Sequence, residues 1–456
     1  MNEQQFDIHA RKQLVPVSNE VPEWISKKMD DTLSELKRKR KQGLRRKIVY
    51  GAAAACITFG GIGGAALVNP PFAEALRKIP LVDSILKLAG DSGIRQGDEL
   101  GLATQVNVTA EDQGVRITVK EMLYDGVRLT LGYRIEGDSA YVPITPQWYI
   151  DGIQVNGGNS QRIGKTEDGA QIGVISFTPS KALPARALLE LRFGSVLDRT
   201  KHAEGNLVTL PGHWSLQLPR IQSNVKTWTK KIAGATSEWN GQKITVSKAV
   251  STPAVTRIEF ETIGPNEPLV DVAHPNTSKG YQVLDDSGMY LEVFGVGGSS
   301  GPHKVGDQTV AVKRYIEMAP LQRIPDHLIL RPYTRTFDYA NARTTTELWN
   351  PEGPPITLSQ GAVGDVTIIK IEFTAEKTLL HFRVHGNDPY QQAEGLWLEN
   401  ASGQKWTGDV VFSDAESMLF MKELPAIDSS QDVRVAAVEV PNPEITRELE
   451  VMIPLK

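Results

Sequence analysis

Cysteine is almost absent: Cys56 is the only one among 456 residues. That excludes an intramolecular disulfide framework and any multi-cysteine zinc site. A dominant charge sign is also missing, with 50 Lys and Arg against 54 Asp and Glu for a net charge of −4. Long helical periods are absent from the C-terminal three-quarters, and only one apolar run is long enough to span a bilayer. No catalytic or cofactor signature stands in its required context, so the residues point to no enzyme and no cofactor. What is present is a hydrophobic content of 40%, too high for a fully disordered chain, and a length that predicts roughly two to four domains.

The even charge hides a division. Residues 1–47 carry a net +5 and residues 48–456 a net −9. Residues 48–68 form 21 consecutive positions without a charge. As a helix they reach ~31 Å, against a hydrocarbon core of ~30 Å. Lys37, Arg38, Lys39, Arg40, Lys41, Arg45, Arg46 and Lys47 precede this run with no acid among them. The positive-inside rule then predicts a single-pass protein of the cell membrane, N-terminus cytoplasmic and C-terminus extracellular. The basic cluster abuts the apolar run, which points to membrane lipid and not to nucleic acid. Ala73-Glu74-Ala75 has the spacing of a signal-peptidase site, but the 47-residue head and the length of the run favour an uncleaved anchor. Gly60 and Gly64 form a G-x-x-x-G that would let two copies approach as a homodimer.

In the head, Pro22 suits a first helical turn. Ile25, Met29, Leu33 and Leu36 follow at spacings of four, four and three, with Trp24 beside them, which predicts an amphipathic helix over 22–36. A lone helix this short is marginal in water. Its apolar stripe needs a cytosolic protein, its own copy or the inner leaflet, and Trp24, Ile25, Met29, Leu33 and Leu36 are the partner-binding candidates.

Residues 69–97 read as a juxtamembrane helical segment, split at Pro80 and stopped at Gly90. From about residue 98 the period changes to two. Val115, Ile117 and Val119 alternate with polar residues, and after Asp125-Gly126 the alternation resumes at Val127, Leu129, Leu131 and Tyr133. Similar hairpins begin near Lys243 and Val366, offset by roughly 120–130 residues, the size of a small sandwich. The expectation is a mainly β chain with three tandem β-sandwich domains of immunoglobulin-like type over 98–230, 232–358 and 360–456. Their last strands are expected at 214–218, near 356–358 and at 449–453.

Gly297-Gly298-Ser299-Ser300-Gly301 fits G-x-S-x-G, but Pro302 and a polar stretch replace the helix that a nucleophile elbow requires. Ser84-Ile85-Leu86-Lys87 matches S-x-x-K without its companion motifs. His381 and His385 would be ~13 Å apart on a strand, too far to share a metal. Asp285-Asp286-Ser287-Gly288 lacks calcium-loop spacing and reads as a tight turn. Trp148, Trp214, Trp228, Trp239, Trp349, Trp397 and Trp406 read as sandwich core, with stacking on sugars as the other reading.

Asn69-Pro70-Pro71-Phe72-Ala73-Glu74-Ala75-Leu76, Ile79-Pro80-Leu81-Val82-Asp83-Ser84-Ile85 and Gly90-Asp91-Ser92-Gly93, followed by the 115–133 hairpin, carry a resemblance. The chain resembles a family of single-pass proteins of Gram-positive, spore-forming bacteria, built around a domain of unknown function. An immunoglobulin-like domain of unknown function often follows it. Such proteins are frequently encoded beside extracytoplasmic-function sigma factors and look like anti-sigma regulators. The resemblance implies a head that sequesters a cytosolic sigma factor and outer domains that sense an envelope signal. The competing reading is a surface structural, adhesion or wall-binding protein, whose outer domains contact a cell-wall or envelope ligand without signalling.

Overall fold

The computed structural model describes residues 84–86 and, from residue 90 to the C-terminus, all but short stretches at 145, 166–169, 185, 204–207, 223–224, 266–275, 299–302, 307–308, 339–340 and 415. The chain is mainly β, in several antiparallel sheets. Among the described residues no helix is long and apolar enough to cross a membrane. The expected helix over 22–36, the basic cluster, the expected span over 48–68 with Gly60 and Gly64, and the Ala73-Glu74-Ala75 site all lie outside them.

The first element is α1 (Ser92–Glu99). Most of the helical segment expected over 69–97, residues 69–83 and 87–89, lies outside the described residues, and after Gly90 a helix runs from Ser92 to Glu99. Gly90 turns the chain with φ at +68°, and Asp91 then accepts the Ile94 N–H at 2.8 Å as an N-cap.

Ten strands follow: β1 (Ala103–Asp112), β2 (Val115–Tyr124), β3 (Leu129–Glu136), β4 (Tyr141–Ile144), β5 (Gln147–Ile150), β6 (Ile153–Val155), β7 (Gly157–Lys165), β8 (Gln171–Pro179), β9 (Arg186–Asp198) and β10 (Thr209–Gln222). They form one sheet in the order β1-β2-β3-β8-β7 and another in the order β10-β9-β5-β6, with β4 also on β9. On β9, Ala187, Leu189, Leu191 and Phe193 alternate into the core that both sheets share. Trp148 stacks on Phe177 there at 4.6 Å between centroids, and the buried Trp214 indole donates to the Val115 carbonyl at 2.8 Å.

The second group is β11 (Trp228–Lys231), β12 (Thr236–Trp239), β13 (Gln242–Ser251), β14 (Thr256–Pro265), β15 (Thr277–Asp285), β16 (Tyr290–Leu291), β17 (Val293–Gly298), β18 (His303–Lys304), β19 (Thr309–Met318) and β20 (His327–Thr336). The third is β21 (Thr344–Leu348), β22 (Ile356–Ser359), β23 (Gly364–Phe373), β24 (Lys377–Gly386), β25 (Leu396–Asn400), β26 (Lys405–Trp406), β27 (Asp409–Asp414), β28 (Leu419–Pro425), β29 (Val433–Val438), β30 (Glu444–Ile445) and β31 (Val451–Pro454). Two short helices interrupt the strands, α2 (Arg199–Ala203) after β9 and α3 (Pro389–Glu394) after β24. One pairing order recurs in each group: β2-β3-β8-β7, β13-β14-β19-β17 and β23-β24-β28-β27. The facing sheets recur as β9-β5-β6, β20-β15-β16 and β29-β25-β26.

Two edges break the simple series. In the first group β10 lies beside β9. The equivalent edge of β20 is taken by β30 and β31 from the far C-terminus, and that of β29 by β21. The chain therefore gives the strand after β20 to the third group, and the third group returns its last strand to the second. The strand at 449–453, expected to close the third domain, closes the second instead. The one near 356–358, expected to close the second, pairs with β23 of the third. The boundary at 358/360 thus cuts through paired strands. The equivalent edge of β29 is already taken by β21, and Leu449, Val451, Ile453 and Leu455 are buried in the second core, beside Leu328 and Leu330 of β20.

Candidate functional site

Several candidates from the sequence resolve into structural parts. Ser84 donates to a Glu121 carboxylate oxygen at 3.0 Å, and the Leu86 N–H donates to the other at 3.1 Å, so Ser84 and Leu86 of the S-x-x-K match form an anchor point and its Lys87 lies outside the described residues. Asp285 accepts from the Ser287 N–H and hydroxyl and from the Met289 N–H, a closed turn. His381 and His385 face away from the core while Leu380, Phe382 and Val384 are buried on the same strand. Trp148, Trp214 and Trp406 are core residues and Trp228, Trp349 and Trp397 are half-buried, but Trp239 is 46% exposed. Gly297 and Gly298 end β17, and 299–301 lie outside the described residues. So do Trp24, Ile25, Met29, Leu33 and Leu36.

What the structure brings together is a buried polar junction around Gly90-Asp91-Ser92-Gly93, and each of the four has a separate task. Gly90 makes the turn. Asp91 caps α1 and also faces Arg128, whose guanidinium grips the carboxylate with both terminal nitrogens, one at 3.2 Å and one closer. Ser92 donates to Glu292, ahead of β17. Gly93 packs so closely on the second group that a Cβ would stand 1.9 Å from the Ala254 carbonyl oxygen. Ile94 completes the contact from within an apolar cluster with Leu86, Leu123 and Val174.

Arg128 is the hub. It sits in the turn between β2 and β3, where Asp125 accepts the N–H groups of Val127 and Arg128 at 2.8 and 2.7 Å. Its side chain is only 3% exposed. Besides gripping Asp91 it donates to the Ala254 carbonyl at 3.3 Å and lies over the Phe294 ring, 5.3 Å from the centroid. One side chain thereby ties the segment before α1, the first group and the second group together.

A second polar contact runs beside it. The Thr178 hydroxyl at the end of β8 donates to the Glu317 carboxylate on β19 at 3.0 Å. Burial pushes the Glu317 carboxyl above the ordinary carboxylate range, against the pull of Arg128 and Arg257. Burial likewise raises Glu292, opposed by the Ser92 hydrogen bond and by Arg95. The third group closes the far side, with Arg162 on β7 paired to Asp409 on β27 at 2.8 Å and Tyr390 reaching the Tyr290 carbonyl at 3.4 Å. Between the three groups lies a cavity of about 550 Å³, lined among others by Asp91, Arg128, Glu292, Glu317 and Tyr390.

Asp91 and Ser92 stand in a motif visible in the sequence, whereas Arg128, Glu292 and Glu317 do not. Their signal was present but faint. Glu317 stands between Ile316 and Met318, which point to the core. A carboxylate on the outer face of such a strand looks like a solvated position until another unit covers it.

Residues 43–137 match the model of a domain of unknown function (DUF4179), and residues 229–360 match a family of unknown function (DUF5643). No curated protein matches the chain. A solved structure described as the crystal structure of the conserved domain protein from Bacillus anthracis is similar at 15% identity, over 53% of this chain and 81% of that one, with a TM-score of 0.38. The chain thus carries two stretches similar to families of unknown function, and the first takes in the basic flank from residue 43, the uncharged run and the β2–β3 hairpin.

Proposed function

We propose that the protein is a single-pass membrane regulator resembling an anti-sigma factor. In this reading residues 48–68 are the anchor and residues 69–456 lie outside the cell as immunoglobulin-like sandwiches. The helix over 22–36 sequesters a cytosolic sigma factor through Trp24, Ile25, Met29, Leu33 and Leu36. The observation that carries the reading is the docking of the segment next to the anchor. Ser84 and Leu86 are held by Glu121, and Asp91 is held by Arg128 where the first two β groups meet. A plain tether for an adhesin needs no such grip. A regulator does, because a change in the relation of the outer units then displaces the chain that enters the membrane. The first family match, which takes in Arg45, Arg46 and Lys47 of the basic flank, the apolar run and this docked segment, supports the same reading.

The test is capture of a sigma factor by the full chain from solubilised membranes, repeated with Ile25→Asp and Leu33→Asp. The proposal expects a sigma factor with the parent chain and its loss in both variants. No sigma factor on the parent chain, together with unchanged transcription on deletion of the gene, would leave the wall-binding alternative as the better account.

A further inference from the structure

Three strands hold the same place in the repeated sheet orders, β7, β17 and β27, and each is the last strand of its sheet. All three reach the cavity of about 550 Å³ between the groups. Two of them line it differently from the strands beside them. β8 contributes Val174, Ser176 and Thr178, and β19 contributes Tyr315 and Glu317, every second residue, as a strand does that shows a face. β7 contributes the consecutive residues 158–162, and β17 the consecutive residues 293–297. Within that stretch of β7, Asn159 accepts from the Trp148 indole and Gln161 donates to the Tyr133 hydroxyl, each at 2.7 Å, so both side chains are turned to the inner face. Consecutive residues in one wall mark a strand edge. Among the described residues, neither β7 nor β17 pairs with a strand on that side. Such an edge presents main-chain N–H and C=O groups that a further strand can satisfy.

The edge of β17 is the unguarded one. Free edges are ordinarily blunted by charge or proline. β7 carries Arg162 and β27 is bounded by Asp409 and Asp414, but β17 reads Val293-Phe294-Gly295-Val296-Gly297-Gly298, with neither. Its pairing shifts register between Val293 and Gly295, a bulge at Phe294, which packs with Val127 and Val255. From Gly295 to Gly298 the ladder on β19 is regular. Glycine within a strand lets a second backbone come close. A Cβ at Gly295 would meet nothing within 4 Å. The floor below is closed by Tyr315. Its ring stands over Gly297 and its hydroxyl over Gly158, where added Cβ atoms would be 2.3 and 2.2 Å away. Five residues of edge amount to ~16 Å at ~3.3 Å per residue, and ligand sites run to roughly 300–1,000 Å³.

We propose that this cavity binds an extended peptide with small side chains, taken up as an added strand on the edge of β17, with β7 as the opposite wall. Main-chain hydrogen bonds carry the affinity, and the length of edge suits about four to five residues. The site belongs to the β groups and is independent of what the cytoplasmic head binds.

The test is ligand-observed NMR on the purified full chain with two probes. One is a capped Thr-Val-Thr-Val-Thr peptide; the other is the same peptide N-methylated at every residue, which keeps the side chains and removes the donors. The capped peptide is expected to bind saturably, and the N-methylated one more weakly by roughly tenfold or more. Hydrogen exchange at residues 295–298 is expected to slow when the capped peptide is present. Gly295→Val puts a side chain into the open space and is expected to weaken the capped peptide on the order of tenfold in a chain that stays folded. Should Gly295→Val fail to fold, Ser160→Phe, at an exposed position of the opposite wall, decides in its place. No saturable binding of the capped peptide by the parent chain overturns the proposal. So does equal binding of the two peptides, or binding that survives both Gly295→Val and Ser160→Phe. Slowed exchange at β7 or at another edge, with none at 295–298, would overturn the assignment to β17.

Discussion

The Arg128 guanidinium grips the Asp91 carboxylate across 37 residues of sequence, and the pair sits where the segment before α1 meets both the first and second β groups. Asp91 also caps α1, so the same carboxylate fixes the helix and the junction. Removing one partner of a buried pair leaves an uncompensated charge, typically at a cost of about 3–5 kcal/mol. Asp91→Ala and Arg128→Ala should each show a loss of that order by denaturant unfolding. Together they should lose less than the sum of the two, because the second substitution removes the orphaned charge. Additive losses would mean that the two residues act separately.

Gly93 tests the closeness of the same contact. A methyl group there meets the Ala254 carbonyl oxygen, a backbone atom with no rotamer to escape into. Gly93→Ala should destabilise the junction by about 1–3 kcal/mol, the usual range for overpacking. The readout is hydrogen exchange, with faster exchange of the amides of α1 and of residues 252–255. Unchanged protection at both would show that the approach is looser than the structure has it.

The raised carboxyls give a pH dependence with a definite sign. Burial is the main cause of the upward shift at Glu317 and at Glu292. The unfolded chain then gives up these protons at a lower pH than the folded one. Their contribution to stability is full below the ordinary carboxylate value and is lost as pH rises through the raised folded value. Glu317→Gln removes one such group. The stability difference between the parent chain and Glu317→Gln should therefore shift against the parent as pH rises through that window and stay flat above it. A difference that is independent of pH would contradict the burial account of Glu317.

The strand returned by the C-terminus yields a prediction far from the site in sequence. Ile453 is fully buried in the second core, more than a hundred residues after β20. Ile453→Ala should cost about 2–5 kcal/mol. Its neighbour Met452, 62% exposed, should tolerate Ser with little change. Hydrogen exchange should show the loss in β15 and β20 of the second group. Loss confined to β23, β24 and β28 would assign the terminal strand to the third group after all.

These particulars show what could be read from the sequence. The hairpin of β2 and β3 was legible because alternation and an Asp-Gly turn are local signals, and the structure pairs Val119 with Tyr133 and Leu123 with Thr130. The core tryptophans were legible for the same reason. The exchange of β21 and β31 was not, because Leu449, Val451 and Ile453 alternate in the same way whichever sheet receives them. The junction was half legible. Gly90-Asp91-Ser92-Gly93 stood out as a block, but its partners Arg128, Ala254 and Glu292 are local only after folding. Nothing local to Asp91 marks it as the partner of an arginine 37 residues away.

The proposed regulator requires that the junction at Asp91 and Arg128 be coupled to the membrane-proximal chain and through it to transcription. The most direct measurement is the transcript profile of cells in which the full chain carries Arg128→Ala, with its amount in the membrane held equal to the parent. The account predicts that this variant shifts the same transcripts, in the same sense, as removal of residues 98–456. A profile identical to the parent, in a variant whose junction is shown by hydrogen exchange to be open, would contradict it.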